Sequence, residues 1–472
     1  MTKVAAVDIG ATSGRVVVAT LEGTNITLDE VMRFPNHPVH DGRQWVWDLD
    51  MICSRVSEGL ALAEAAGCIS FGVDTWAVDF GVVVDGMLAG PVLAYRDPVH
   101  AGGVEIAHEA LSREEMYAIS GIQELPFNSV YQLAARPDRL GDGHGTFVLM
   151  PDLLAWRLTG ALGCDITNAS STGLIDARTR DWSPRALEAL GLPASAFLAP
   201  DEPGAVRGTT PEGLTLVGVA THDTASAFIG APVADRDRAL ILSLGTWALI
   251  GAEVVGALPS EAARAINVTH ELGIDGTTRV LANVCGMWLL EECRRDWSQI
   301  DGREIEITEL IDLAVLEPAF TAILDVDDPS LTVPGQSAEF IAGTLRGKAP
   351  ASRGALVRVI LESMIARIAE RAAQIEALLG NEREVLHVVG GASRIDFAMQ
   401  GLADATGKVV VAGPVEATAL GNAAVQWRTH GDVASIAEAR AFMSAMPGIR
   451  TFVPAVAQET WQDYARTMKE TP

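Results

Sequence analysis

"VAAVDIGATSGRVVVATLEG", Val4 to Gly23, reads as strand, glycine-rich turn, strand. An apolar run opens it, and a second apolar, β-branched run covers Arg15 to Thr20. The same shape returns at "ALILSLGTWALIGAEV", Ala239 to Val254, where Ser243-Leu244-Gly245-Thr246 answers loosely to Asp8-Ile9-Gly10-Ala11-Thr12. Ser243 lies 235 positions after Asp8, about half of the 472-residue chain. Two halves that open alike predict a duplicated α/β domain with a cleft between the copies. The charged link "DRDRAL", Asp235 to Leu240, is the expected boundary, giving domains 1–235 and 236–472, with the last helix crossing back onto the first.

The turns carry chemistry as well as topology. Gly10, Gly14 and Gly245 are expected in backbone conformations closed to other residues, so that successive N–H groups converge on one anion. Thr12, Ser13 and Thr246 add hydroxyl donors. Two such turns facing each other would grip a polyphosphate, with Asp8 placed to hold the water shell of a Mg²⁺ ion. A pair of ordinary β-hairpins is the competing reading. A third glycine stretch, "LHVVGGASRIDFAMQGLADATG" (Leu386 to Gly407), reads as strand, Gly-Gly turn and a helix from Ile395. Only faintly does it resemble a dinucleotide fingerprint. After it, "VVVAGPVEATALGNAAVQ" gives a strand, a loop and a helix with close-packing Ala and Gly.

"VGVATHDTASAFIG", Val217 to Gly230, sets His222 and Asp223 where an apolar strand, Leu214 to Ala220, gives way to a helix. Asp223 is there either as a helix N-cap or as a carboxylate that receives a proton. Further strands are expected at Ile69–Asp74, Val82–Val84 and Phe147–Met150, and helices at Met51–Ala66, Arg113–Ser120, Gly354–Leu379 and Ala457–Lys469. Trp76 either stacks on a sugar face or fills core. Asp74 and Asp79 either touch sugar hydroxyls or are solvated or capping. His100, His108 and His144 show no metal spacing and are expected at the surface. The aromatic and Met residues of "CGMWLLEECRRDW" fall at helical spacing and read as core.

Composition removes whole classes of function. Lys and Arg number 35 against 61 Asp and Glu, a formal charge of −26. That charge repels nucleic acid and anionic membrane, and it requires phosphate to be held by local dipoles, a metal ion or a few placed cations. No apolar stretch is long enough for a membrane span, and "MTKVAAVDIG" is not a signal peptide. Cys53, Cys68, Cys164, Cys285 and Cys293 form no CxxC pair, which points to free thiols in a reducing cytoplasm.

"VDIGATSGR", "ATHDTASA", "SLGTW" and "VVGGASR", in this order, resemble the FGGY carbohydrate kinases of the actin-like ATPase superfamily. "VDTWAVDFG", "AYRD", "SGIQELPFNSVYQL", "MPDLLAWRLTG", "TNASSTGLID", "NVCGMWLLEECRRDW" and "AGPVEATALGN" are similar to the rhamnulokinase branch. The resemblance implies a two-domain actin-like (ribonuclease-H-like) α/β fold and ATP-dependent phosphorylation of a ketose, with Mg²⁺. L-rhamnulose is the implied sugar, and L-fuculose or D-xylulose the alternatives. It further implies that Asp223 takes the sugar hydroxyl's proton and that His222, Thr224 and Asn283 hold the ketose. Ala11, Thr12, Ser13, Gly14, Arg15 and Thr246 would surround the phosphates, and Gly391 would line the adenosine pocket. Ala77 stands where the pattern has a sugar-contacting glycine, and Glu291 where it has a nucleotide-contacting glutamine. "GGASR" replaces a third glycine. A non-enzymatic actin-like ATPase has no use for "ATHDTASA" or "PFNSVYQL", and a sugar-responsive repressor would need a helix-turn-helix.

Overall fold

A computed structural model describes residues 1–141, 143–332 and 335–470. The chain divides into two compact units that are not contiguous halves. The first comprises Met1–Ala234, Glu253–Val280 and Glu416–Met446; the second, Asp235–Ala252, Leu281–Val415 and Pro447–Pro472.

In the first unit a six-stranded sheet contains β1 (Thr2–Ile9), β2 (Ser13–Glu22), β3 (Asn25–Pro35), β4 (Ser70–Thr75), β5 (Val206–Thr209) and β6 (Thr215–Val217), in the spatial order β5-β6-β4-β1-β2-β3. β1, β2 and β3 form an antiparallel meander, β4 joins β1 in parallel and β6 joins β4 in parallel. Because side chains alternate across a strand, β1 feeds two cores. Ala5, Val7 and Ile9 pack with Ile52, Val56 and Leu60 of α1 (Leu49–Ala65) on one face. Val4 and Ala6 turn to the other face. Both faces are therefore covered, and the strand reads as a continuous apolar run.

A seven-stranded sheet, most of it in the second unit, repeats the plan. β7 (Ala239–Leu244), β8 (Trp247–Val255), β9 (Thr269–Leu272), β10 (Thr277–Cys285), β11 (Val385–Val389), β12 (Val409–Ala412) and β13 (Arg450–Phe452) lie in the order β9-β10-β8-β7-β11-β12-β13. β7 pairs antiparallel with β8 and parallel with β11, and β12 follows in parallel. Setting β10-β8-β7-β11-β12 beside β3-β2-β1-β4-β6 gives the same five-strand order, so the repeat is a duplication of topology. β9 falls within the residues of the first unit, and β8 and β10 run across the boundaries at 252/253 and 280/281.

Helices of the site are α2 (Ser129–Ala135), α3 (Asp223–Ile229), α4 (Trp288–Asp301), α5 (Arg353–Leu379), α6 (Asp396–Thr406), α7 (Ala417–His430), α8 (Ile436–Ser444) and α9 (Gln458–Glu470). α7 returns from the second half of the sequence to cover the first sheet, where Leu420, Ala423, Ala424 and Trp427 meet Val4, Ala19 and Leu21. Its contact with α3 is backbone to backbone. A Cβ on Gly421 would lie 1.8 Å from the Ser226 carbonyl oxygen, and one on Gly230 1.9 Å from that of Ala417. Only glycine permits that approach. The crossing back is thus made by α7 and α8, whereas α9 packs on α5 and α6 of the second unit. The strand expected over Leu214–Ala220 stops at Val217, where Gly218 turns to the neighbouring loop: its N–H donates to the Ala205 carbonyl and its carbonyl accepts from the Gly204 N–H, both at 2.7 Å.

Candidate functional site

The first turn closes when the Gly10 N–H donates to the Ser13 carbonyl at 2.9 Å. Asn36, just past β3, secures it from outside: its N–H donates to the Thr12 carbonyl and its side-chain amide to that of Gly10, at 3.0 and 2.7 Å. Thr12 is exposed, and Ala11 and Ser13 are half-buried. None of Gly10, Gly14 and Gly245 has a positive φ, which corrects the conformational reason expected for them. Gly14 is required by packing, since a Cβ there would lie 2.3 Å from the Phe34 ring.

Asp8 and Asp74 are register partners on β1 and β4. Arg15 donates to one Asp8 oxygen through Nε at 3.0 Å and Nη2 at 2.6 Å, and its third nitrogen pairs with Glu416 at the start of α7. Burial opposes the Arg15 charge, but Asp8 and Glu416 hold it protonated well above the ordinary range. Asp74 is fully buried. Its Oδ2 accepts from the Asn422 amide at 2.6 Å, and its Oδ1 has no partner. Burial, and then the Asp8 charge, push its carboxyl well above the usual carboxylate range.

Asp223 is the first residue of α3. His222 occupies the N-cap position and makes no capping bond with its side chain; Asp223, one position on, satisfies a backbone N–H of the first turn instead. Oδ1 accepts from the Thr224 N–H at 2.5 Å and the Thr224 hydroxyl at 3.1 Å, and the His222 ring nitrogen lies 3.5 Å away. About a third of the Asp223 side chain (32 %) is exposed. Burial raises its pKa, His222 opposes that, and Asp8 adds to it. Behind His222 stands a buried chain of charge: its Nδ1 is 3.1 Å from a Glu271 oxygen, which is 3.0 Å from Arg279. Burial works against the Glu271 charge, yet Arg279 and His222 keep that carboxyl below its usual range. Asp165, fully buried, accepts both the N–H and the hydroxyl of Thr221 at 3.1 Å and so fixes the approach to His222.

The stretch after β4 runs alongside, with the Thr75 N–H donating to the Thr221 carbonyl at 2.9 Å. Ala77 is half-buried. Trp76 is buried and packs on Trp47 with ring centroids 4.0 Å apart, the core reading of that residue. Asp74 and Asp79 are both fully buried, neither solvated nor capping. His100 is also buried, and the His108 ring lies between the Leu111 carbonyl and Tyr131, so only His144 is a surface histidine of the three.

In the second unit the Gly245 N–H donates to the Trp247 carbonyl at 2.9 Å. The Met287 and Trp288 N–H groups then donate to the Gly245 and Thr246 carbonyls, at 3.0 and 3.2 Å. Thr246 is exposed and Asn283, on β10, is half-buried. Glu291, in the first turn of α4, takes two hydrogen bonds from Arg294 at 2.7 and 2.6 Å. Gly390 does adopt a positive φ, 93°, where a Cβ would lie 2.9 Å from the Leu244 carbonyl oxygen, and Gly391 beyond it is exposed.

The first unit therefore brings together Asp8, Ala11, Thr12, Ser13, Gly14, Arg15, Ala77, His222, Asp223 and Thr224, and the second carries Thr246, Asn283, Glu291 and Gly391. Sequence reasoning missed Asn36, Asp165, Glu271, Arg279, Glu416 and Asn422. For Glu271 and Arg279 a signal existed: each is a lone charge inside an otherwise uncharged strand residue run, "THEL" and "TTRVLANVC". Among the described residues no three His, Cys, Asp or Glu side chains converge as a metal site.

Residues 4–221 match the N-terminal domain of the FGGY family of carbohydrate kinases, and residues 240–430 its C-terminal domain. A rhamnulokinase of Bacteroides thetaiotaomicron is 36 % identical over 471 residues, with 95 % of each chain covered. One of Yersinia pestis is 37 % identical over 453 residues, with 92 % of each covered. Among solved structures, ligand-bound xylulose kinase from Lactobacillus acidophilus superposes with a TM-score of 0.81 at 15 % identity, covering 100 % of this chain and 97 % of that one. Plasmodium falciparum glycerol kinase with ADP gives 0.78 at 15 % identity, covering 100 % and 98 %. These structures share the fold, and the sequence matches go further: the chain belongs to the FGGY family of carbohydrate kinases.

Proposed function

We propose that this kinase transfers the γ-phosphoryl group of ATP to a ketose, L-rhamnulose giving L-rhamnulose 1-phosphate, in the cytoplasm. The observation that carries the chemistry is the state of Asp223. One oxygen is held by Thr224, no hydrogen bond falls on the other among the described residues, and the side chain is still a third exposed. Such a carboxylate orients a hydroxyl and takes its proton as the oxygen–phosphorus bond forms and the bond to the ADP leaving oxygen breaks. His222, fixed by Glu271 on one nitrogen, and Thr224 offer directional partners for the sugar, with Asn283. Thr12, Ser13 and Thr246 present hydroxyls, and the turn Ala11–Arg15 presents N–H groups, to the phosphates; Gly391 and Glu291 lie on the nucleotide side.

The donors also suit Mg²⁺. They are oxygens, and because Arg15 already occupies Asp8, that carboxylate would hold the ion through its water shell. When bound, Mg²⁺ neutralises charge on the transferring phosphates. None of the five cysteines forms a disulfide, in keeping with a reducing compartment, and among the described residues no helix is long and apolar enough to cross a membrane.

Sugar identity is supported by the rhamnulokinase relatives and is tested through Ala77. Its methyl group favours a second reading, in which another ketose such as L-fuculose or D-xylulose is preferred. Comparing kcat/KM for L-rhamnulose, L-fuculose, D-xylulose, L-ribulose and glycerol decides: L-rhamnulose is expected to lead. If another ketose leads and Ala77→Gly restores L-rhamnulose, the methyl group is the cause.

A further inference from the structure

Three residues after the Thr75–Thr221 bond the backbone does something costly. Val78, β-branched and buried, has a φ of 71°, and the Asp79 N–H donates back to the Ala77 carbonyl at 3.0 Å. This is a γ-turn of the positive-φ kind, rare and strained, above all for a β-branched residue. Strain of this sort persists only where the surroundings over-determine it.

Here they do. The Val78 carbonyl accepts from the Ser129 hydroxyl at 2.6 Å and the Gln132 amide at 3.2 Å, both from α2. The Asp79 carboxylate is a hub of four donors: Trp47 Nε1 at 2.6 Å, Trp76 Nε1 at 2.9 Å and the Tyr95 N–H at 3.3 Å on Oδ2, and Gln132 at 3.3 Å on Oδ1. Burial pushes this carboxyl up to about 7, against the pull of all four donors. Tyr95, placed by the hub, packs against Phe127 with centroids 5.3 Å apart, and the Asp223 charge is felt at its hydroxyl.

We propose that Asp79 is the positioning residue of the sugar-facing wall: by gathering Trp47, Trp76, Tyr95 and Gln132 it holds the strained turn at Val78 and sets how far Ala77 projects, and so which hydroxyl arrangement is admitted. The residue acts through Ala77 and Tyr95 rather than on the substrate. A buried acid with four donors around a strained turn is more than packing requires, since an apolar side chain would fill the volume without desolvating a charge. This inference rests on the reading of Ala77 as sugar-facing.

The test is steady-state kinetics on the ketose panel at saturating ATP, with KM for ATP measured separately, for Asp79→Asn, Trp76→Phe and Ala77→Gly. Trp76→Phe keeps an aromatic ring, though a smaller one, and removes one donor, so it reports even if Asp79→Asn fails to fold. Both hub variants are expected to raise KM for the preferred ketose roughly tenfold and to narrow discrimination among ketoses, with kcat and KM for ATP changed less than about threefold. If Ala77→Gly shifts sugar preference while a folded hub variant keeps wild-type KM and preference, the hub is structural only and the inference falls. If Ala77→Gly leaves the panel unchanged, the wall is misplaced and both readings fall. If the hub variants lower kcat for every sugar alike with KM unmoved, Asp79 supports the catalytic residues and not the wall.

Discussion

The two hairpins that open the duplicated sheets share a topology and almost nothing else. The β1–β2 turn is bound by side chains: Asp8 to Arg15, Arg15 to Glu416, Asn36 to Gly10, with Asp74 one strand away. The β7–β8 turn is bound by backbone, through Met287 and Trp288 N–H groups, and by close approach, since a Cβ on Gly286 would meet the Trp247 carbonyl carbon at 2.6 Å. Ser243 stands where Asp8 does, and the charges are gone. Duplication supplied two turns of one topology, and charged side chains gathered around only one of them.

That asymmetry can be broken at several points. The largest effect is expected from Asp223→Asn, which keeps shape and cannot accept the proton: kcat falls by on the order of 10²–10⁴ with ATP binding unchanged by calorimetry. Wild-type turnover in this variant would remove the base. Because burial and Asp8 raise the Asp223 pKa, the carboxylate is lost on acidification at a pH above the usual carboxylate range. kcat/KM should accordingly rise with pH through that raised value and level off above it, and a profile flat down to pH 4 would contradict the assignment.

Stability distinguishes the turns next. Gly286→Ala forces a methyl group into backbone and is expected to cost about 1–3 kcal/mol in denaturant unfolding. Gly10→Ala, whose nearest neighbour would be the Ser13 oxygen at 3.6 Å, should stay within about 0.5 kcal/mol. Equal costs would mean that both turns are held alike. Thr12→Val and Thr246→Val each remove one hydroxyl and should weaken ATP by about 0.5–1.5 kcal/mol while sparing the sugar, read by separate titrations. The smallest change belongs to Glu416→Gln. Its ion pair with Arg15 is partly exposed, so a stability loss of about 0–1 kcal/mol is expected, and anything much larger would show that the turn depends on it.

How far the sequence could be read follows the same division. Apolar runs announced β1, β2, β7 and β11, and the repeat announced the duplication. Asp223 was legible because a helix starts at it, although the strand before it ends six residues earlier, at Val217. The bonds that hold it were not: Asn36 reaches back 26 residues to Gly10, Asp165 reaches 56 to Thr221 and Asn422 reaches 348 to Asp74. Asp79 sat in plain view in "VDTWAVDF", and misled, because an Asp between strands ordinarily meets water. Its partners Trp47 and Gln132 come from 32 and 53 residues away. Gly10, Gly14 and Gly245 were singled out for freedom of φ, whereas Gly14 is needed for the atom it lacks, as is Gly421 on the helix where close packing was expected.

The α7 helix has a consequence for how this protein is made. The first unit is missing residues 416–446 until nearly the whole chain has left the ribosome. Until then Asp74 is without Asn422, Arg15 without Glu416, and the Val4, Ala19 and Leu21 face of the sheet without its cover. Such contacts, more than 340 residues apart, have to wait for synthesis whatever their strength. The N-terminal half therefore emerges with this face of its sheet uncovered until α7 arrives. Cutting the gene at the apparent midpoint would yield a fragment with an uncovered core, not a free-standing domain.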